Sequence, residues 1–496
     1  MKKFGWLSVL LALVLLVSAC GGNSNGGAST NAGNSGSKAA SEEPYEVVYA
    51  FPFWGNIPKD LQLVQDEINK ISKAKINVKV KFLPINGSAM DQQINLMMTS
   101  GEKLDMFSMF NYSNQVTTGK LYPIGQIMEQ NGKGIMDALG QAYYNATKIK
   151  GVSYGVPSNR DMAQEFGYDI RKDLVEKYNI DLSQVKKFDD LEKIFRVIKE
   201  KEPGIAAMKP SAYSTIDPLD NNLGVLLNNG QSDLKVVNWF ATDEYAQYLK
   251  TMRKWYLAGY VLKDAATTKE SEETLIKAGK IAGHTTNMKP GFEAQENRGI
   301  GKEMAVVRYT PAVAKTTTVT NVMLGVSAKA EKPEKVVQFL NLMYTDKDIV
   351  NLFDWGIEGK HYVKINGQQN MIKYPDGVNP ENVGYSGSGW MHGNQLLSYV
   401  FEGDDPEVYK KLADFNKTAL KSKALGFSFN AESVKAEVAA CTAVLGEYGT
   451  PLNTGVLDVD KILPELLKKL EDAGINKIIQ EKQKQLDEWA KENNVK

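Results

Sequence analysis

The chain has 496 residues with 59 basic and 59 acidic side chains, a balance that carries no electrostatic footprint for nucleic acid. About 450 residues follow Pro44, too many for one core and enough for two or three domains.

The first residues read as a processing segment. Lys2 and Lys3 form a positive start, residues 7–17 an apolar run, and Val17-Ser18-Ala19 the small residues that precede a cut. That run is about a dozen residues long, whereas about 20 are needed to span a bilayer, so a permanent transmembrane helix is not expected. Leu16-Val17-Ser18-Ala19-Cys20 resembles the lipobox of bacterial lipoproteins. The resemblance implies a signal peptide over 1–19 and a lipidated Cys20 as the mature N-terminus. One acyl chain holds marginally and two hold stably, because burial contributes about 0.8 kcal/mol per CH₂. Residues 21–44, nearly all Gly, Asn, Ser, Ala and Thr, lack apolar periodicity, so 20–44 is expected to be a flexible, lipid-anchored tether. Loss of Lys2 and Lys3 leaves 57 basic residues against 59 acidic ones, a formal charge of −2. Cys441 is the only other cysteine, so no intrachain disulfide is expected, and Val438-Ala439-Ala440-Cys441 suits a small buried hydrophobe.

The body opens with a βαβ pattern. Residues 45–51 read as a buried strand, and Pro58 precedes Leu61, Val64, Ile68 and Ile71 at helical spacing. Ile76, Val78, Val80 and Phe82 alternate with polar residues in strand period, residues 90–100 read as a helix capped by Gly101, and 104–110 as the next strand. This alternation predicts an α/β fold with a parallel, doubly wound sheet, whose ligands bind beyond the strands' carboxyl ends. Those ends are Phe51-Pro52-Phe53-Trp54-Gly55-Asn56 and Phe110-Asn111-Tyr112. Phe51, Phe53 and Phe110 are expected in the core. Trp54, Asn111 and Tyr112 are candidates to face a cleft. Gly151-Val152-Ser153-Tyr154-Gly155-Val156-Pro157, followed by Ser158-Asn159-Arg160-Asp161, reads as a crossover, with a helix starting near Arg171. Helices are expected over 188–200, 243–257, 271–278, 336–344 and 462–493, and strands over 280–285 and 322–327.

With these features in this order, the chain resembles an extracellular solute-binding protein of an ABC importer, in the broad family that includes maltose-binding protein. Asp354-Trp355-Gly356-Ile357-Glu358-Gly359-Lys360-His361-Tyr362, Ala473-Gly474-Ile475 and Gln485-Leu486-Asp487-Glu488-Trp489 resemble LipO-like lipoproteins of bacilli. The resemblance implies a two-lobe periplasmic-binding-protein clamshell (type II) with a helix-rich second lobe. Lobe 1 would hold 45–155 and 286–330, and lobe 2 would hold 158–283 and 334–496, with three crossings at the hinge. The implied partners are a carbohydrate ligand held between the lobes and ABC permease subunits that read the closed form. The implied address is the outer face of a membrane, or the periplasm of a two-membrane cell. A monomer without cofactors is expected.

Sugar recognition needs aromatic platforms for C–H faces and planar polar groups for hydroxyls. Trp54, Trp355 and Trp390 are the platform candidates; Asn111, Arg160, Asp161 and Glu358 are the polar ones. Arg160 either contacts ligand or pairs with Asp161. Glu358 either contacts ligand or holds its turn. Trp390 ends the Gly384-Tyr385-Ser386-Gly387-Ser388-Gly389 stretch, read either as a mobile lid edge or as a packed tryptophan. Trp239 and Trp255 fit core positions. His284, His361 and His392 have no i,i+4 partner or Cys/His cluster, so no metal site is expected from spacing. No Gly-x-Ser-x-Gly motif with a readable His and Asp is present, and Gly387-x-Gly389 fails as a dinucleotide fingerprint. A peptide or amino-acid receptor of the same fold and a surface glycoside hydrolase with distant carboxylates are the alternatives.

Overall fold

A computed structural model describes residues 43–210, 214–368 and 370–496. The expected signal peptide, Cys20 and all of the expected tether before Glu43 lie outside the described residues. Numbered in chain order, the strands among the described residues are β1 (Tyr45–Phe53), β2 (Val78–Asn86), β3 (Met106–Met109), β4 (Gly155–Pro157), β5 (Glu165–Arg171), β6 (Ala206–Lys209), β7 (Ile281–Met288), β8 (Met304–Arg308), β9 (Val313–Ala314), β10 (Met323–Val326), β11 (Val363–Lys364), β12 (Met371–Lys373), β13 (Val400–Phe401) and β14 (Leu420–Lys421).

The apolar run of β1 is buried along most of its length, as an interior strand requires. It pairs in parallel with β2, from Tyr45 opposite Val78 to Phe53 opposite Asn86. In β2 the alternation has its physical meaning: Val78, Val80 and Phe82 are buried while Lys81 is exposed at the sheet edge. The helix Leu61–Ile76 covers these strands with Val64 and Ile68, and Asn77 ends it in the left-handed conformation at φ 52°. The first sheet has the order β2-β1-β3-β10-β4, with β10 antiparallel to both β3 and β4. It is mixed rather than purely parallel, because the chain leaves for the other lobe after β4 and β10 enters on its return.

The second sheet has the order β6-β7-β5-β8, with β5 antiparallel to β7 and β8. Two stretches fall elsewhere than expected. Met304–Arg308, expected in the first lobe, is β8 of the second sheet. The helices Pro333–Thr345 and Lys347–Trp355, expected in the second lobe, pack on the first. Val336, Val337, Phe339, Leu340, Met343 and Tyr344 join the same core as Val47, Tyr49 and Phe51, and the Tyr344 hydroxyl donates to the carbonyl of Pro157 at 2.5 Å. The buried residues of the first helix fall on one face at helical spacing, the face it turns to that core.

Three chain segments run side by side between the sheets. Residues 158–164 lead from β4 to β5, residues 309–322 lead from β8 to β10, and β14 leads from the helix Val408–Thr418 into the C-terminal part. Gln164 bridges Val313, and β9 pairs in parallel with β14. The C-terminal part is helical: Lys435–Asn453, Val459–Asp472 and Ile475–Glu492 share a core with Phe240, Leu249 and Cys441. The stretch 462–493 is helical as expected, in two helices divided at Gly474, which takes φ 96°. Lys482, on the last helix, has no exposed surface, and its ammonium donates to the carbonyls of Asn221 at 3.0 Å and Gly224 at 2.8 Å.

Candidate functional site

Two parallel strands of the first sheet end beside each other. Trp54 follows β1, and Phe110 and Asn111 follow β3, at the carboxyl ends where open α/β sheets hold ligands. The turn Gly389–Met391 brings Trp390 to the same place. The rings of Trp54 and Trp390 are stacked, with centroids 6.2 Å apart and planes 20° apart. Phe110 lies 5.8 Å from Trp54 and 6.4 Å from Trp390. Trp54 is 53% exposed and Phe110 42%, so apolar ring surface faces solvent here. Phe51 is in the core as expected, but Phe110 is not: β3 ends at Met109, and the next side chain leaves the sheet. Gly87 permits the pose of Trp54, whose indole lies 2.4 Å from where a Cβ would stand.

The crossover adds charge beside the rings. Arg160 grips Asp161 with two bonds, Nε to Oδ1 at 2.6 Å and Nη2 to Oδ2 at 2.9 Å. Its guanidinium also sits 5.4 Å from the Trp390 ring centroid. Lys289, just after β7, places Nζ 3.4 Å from Asp161 Oδ1. Burial works to raise the Asp161 carboxyl, but Lys289 and Arg160 outweigh it and hold the group below its ordinary value. Asn416 fixes the segment, donating to the Arg160 carbonyl at 2.5 Å and accepting from the Met162 amide at 2.8 Å. Ser158 Oγ donates to the Trp390 carbonyl at 2.8 Å, which ties the crossover to the turn.

Phe110 and Asn111 also form one end of a cavity of about 490 Å³. Thr147, Thr316, Thr317, Thr320 and Asn321 line one wall; Asp220, Ser428, Asn430 and Glu432 line the other. The groove therefore continues from the rings into a polar space whose second wall comes from the C-terminal helical part. Asn111 Nδ2 donates to Asp91 at 2.7 Å and its Oδ1 accepts from Gln115 at 2.7 Å. Tyr112 is buried and structural at its hydroxyl, which donates to the Thr147 carbonyl at 2.9 Å and accepts from the Tyr154 amide at 3.1 Å; its ring forms cavity wall.

Trp355 and Glu358 lie outside this groove. Trp355 Nε1 donates to Ser398 Oγ at 2.9 Å and the Tyr399 carbonyl at 3.0 Å, and its ring packs 5.4 Å from Phe401. Glu358 pairs with Lys364 at 2.8 Å on the surface. The segment that carries them is a clasp: His361 accepts from the Ile357 amide at 2.9 Å and reaches Asp60 at 3.0 Å, next to the helix Leu61–Ile76. The stretch before Trp390 is pinned rather than mobile. A Cβ on Gly387 would stand 2.0 Å from the Phe353 carbonyl, and one on Gly389 2.3 Å from the Asp354 carboxyl group. Trp255 is core, while half-buried Trp239 lines a separate cavity of about 490 Å³ within the second lobe. Phe110, Lys289 and the threonines near 316 are the site residues that sequence reading missed. The run Thr316-Thr317-Thr318-Val319-Thr320 was the visible signal for the last of these. Away from the groove, Asp169, His284 and Glu296 bring ligand-type atoms within 4.8 Å of one another, which spacing along the chain does not reveal.

Residues 55–349 match the family described as bacterial extracellular solute-binding protein, and residues 423–491 match a domain of unknown function (DUF3502). The chain is 28% identical over 504 residues to a carbohydrate ABC transporter substrate-binding protein of Streptococcus pneumoniae serotype 4, covering 99% of each. It is 21% identical to the polygalacturonan/rhamnogalacturonan-binding protein YtcQ of Bacillus subtilis, over 71% of this chain and 74% of that one. Among solved structures it is similar to an N-glycan transport solute binding protein from Streptococcus pneumoniae, at 27% identity and TM-score 0.82, covering 90% of this chain and 99% of that one. Structures of that protein in complex with Man1GlcNAc and Man5GlcNAc give TM-scores of 0.73 and 0.70. With more than half of its length matched by the family, the chain belongs to the bacterial extracellular solute-binding proteins of ABC transporters.

Proposed function

We propose that this protein captures a glycan in the groove between its lobes and delivers it to an ABC import permease, held at the membrane by lipid on Cys20. The observation that carries the reading is the exposed Trp54–Trp390–Phe110 surface, which runs through Phe110 into a polar cavity walled by both lobes. Flat rings take the C–H faces of a sugar, and the threonine, asparagine and carboxylate groups of the cavity take its hydroxyls. The names of the relatives point the same way, since they are carbohydrate- and N-glycan-binding proteins.

Arg160 does not favour a peptide ligand, because Asp161 already occupies the donor fork that would seize an α-carboxylate. Nor does Asp161 suit the role of a glycosidase acid. A glycosidase acid must hold its proton near neutral pH, whereas Lys289 and Arg160 keep Asp161 ionised.

The test is calorimetric and thermal titration with mannose-containing and pectic oligosaccharides alongside peptides. Binding of a glycan without product release is expected, with a raised melting temperature. Trp54→Ala and Trp390→Ala should each weaken it by about three- to tenfold, the value of one aromatic contact. Thermal shifts with peptides alone would overturn the sugar assignment, and glycan cleavage would overturn the receptor.

A further inference from the structure

We propose that Asp169, His284 and Glu296 form a site for a divalent transition metal, zinc or manganese, inside the second lobe. Asp169 on β5 and His284 on β7 are direct cross-strand partners. Glu296 reaches them from the helix Phe292–Ile300, and one ligand-type atom from each lies within 4.8 Å of the others. Relative exposures are 0% for Asp169 and 7% for the other two.

Two buried polar atoms of this cluster lack a hydrogen-bond partner. Asp169 Oδ2 has no hydrogen-bond partner, although the residue has no exposed surface. His284 Nδ1 lies 2.8 Å from Asp169 Oδ1 without the alignment of a hydrogen bond. Asp169 Oδ1 is itself held by the backbone N–H of His284 at 3.0 Å, which fixes the carboxylate and leaves Oδ2 without a donor. A buried carboxylate oxygen without a donor is costly, and a cation satisfies it. The charges also close: two carboxylates, a neutral imidazole and a divalent ion sum to zero.

The donor set selects the ion. One imidazole and two carboxylates suit zinc or manganese, while calcium asks for about six to eight oxygens. Metal–ligand bonds of about 2.0–2.2 Å place ligand atoms roughly 3.3–4.4 Å apart, so the cluster closes on an ion with small rotamer changes. The other two histidines are already engaged, His361 with Ile357 and Asp60, His392 with Tyr49. The site would clamp the helix Phe292–Ile300 to its sheet, on the strand that leads to Lys289 beside the groove.

The experiment uses the purified chain without a polyhistidine tag, stripped with chelator and titrated calorimetrically with Zn²⁺ and Mn²⁺. One equivalent is expected to bind, with a rise in melting temperature. Glu296→Gln and Asp169→Asn should each weaken binding at least tenfold, since even partners one shell further out cost about 10–100-fold. Co²⁺ added to the stripped wild type should give a visible ligand-field band, a readout that needs no variant to fold. Absence of that band together with no stoichiometric Zn²⁺ or Mn²⁺ binding overturns the proposal and leaves a proton-sharing cluster. Equal binding by wild type and both variants overturns it in favour of an adventitious site elsewhere.

Discussion

His392 sits in the first lobe's core, stacked on Phe353 at 4.7 Å and 20°, with edges of Tyr49 and Phe51 within 5.6 Å. The Tyr49 hydroxyl and His392 Nδ1 share a hydrogen bond of 2.7 Å. Burial alone drives the imidazole down to about 3, so the native state keeps it neutral, whereas the unfolded chain binds its proton near 6.5. Between those values the unfolded state holds the extra proton, so this residue's contribution to stability is full above pH 6.5 and is lost as pH falls toward 3. From pH 7 to pH 5 the expected loss is about 2 kcal/mol. Asp354 acts with the opposite sign: burial lifts its carboxyl to about 6, so it favours the fold as pH falls from 6 toward 3.8. The comparison that isolates His392 is therefore wild type against His392→Phe, which keeps the aromatic packing and removes the proton site. Urea denaturation from pH 7 to 5 should show the variant losing about 2 kcal/mol less than wild type. Parallel slopes would mean that the imidazole is protonated in the fold.

At the scale of elements, the groove depends on a strap that runs from Gly384 to Trp390 over the end of the helix Lys347–Trp355. Tyr385 anchors it, donating to the Phe353 carbonyl at 2.9 Å, and Gly387 passes where any Cβ would strike that carbonyl and the next. Gly387→Ala should push the strap outward, costing about 1–3 kcal/mol as overpacking does, and it should draw Trp390 off Trp54. Weaker glycan binding with a blue-to-red change in tryptophan emission would register it; unchanged affinity and emission would show that the strap does not position Trp390. Spacing along the chain could not distinguish this strap from a loose loop, because a glycine required by close approach and one supplying flexibility look alike in sequence. The same limit governs the rest of the molecule. The strand Val78–Asn86 and the helices Met90–Ser100 and Asp243–Leu257 were legible because period and caps are local. The sheet that receives Met304–Arg308 and the core that receives Pro333–Thr345 were not, since an apolar face says that something covers it and not what. Trp355 and Glu358 drew attention through an unusual motif, and that motif spends its chemistry on Asp60 through His361.

At the scale of the whole molecule, the three crossings lie side by side as Gln164 against Val313 and β9 against β14. A narrow ribbon of this kind bends with little loss of packing, while each lobe keeps its own core. The walls of the groove come from both sides of that ribbon. Trp54, Phe110 and Trp390 belong to the first lobe, whereas Asp220 and the 428–432 stretch approach from the second, with Arg160 and Asp161 on the ribbon itself. A ligand spanning both walls gains contacts in the closed form that it cannot make in the open one, and that difference is what shifts the population. Small-angle scattering on the full chain should therefore give a smaller radius of gyration with saturating glycan than without it. Trp390→Ala, which keeps the ribbon and loses one platform, should reach the same compact form at higher glycan concentration. If wild type binds glycan with no change in radius, the groove recognises sugar without closing, and the permease would have to read something other than lobe closure.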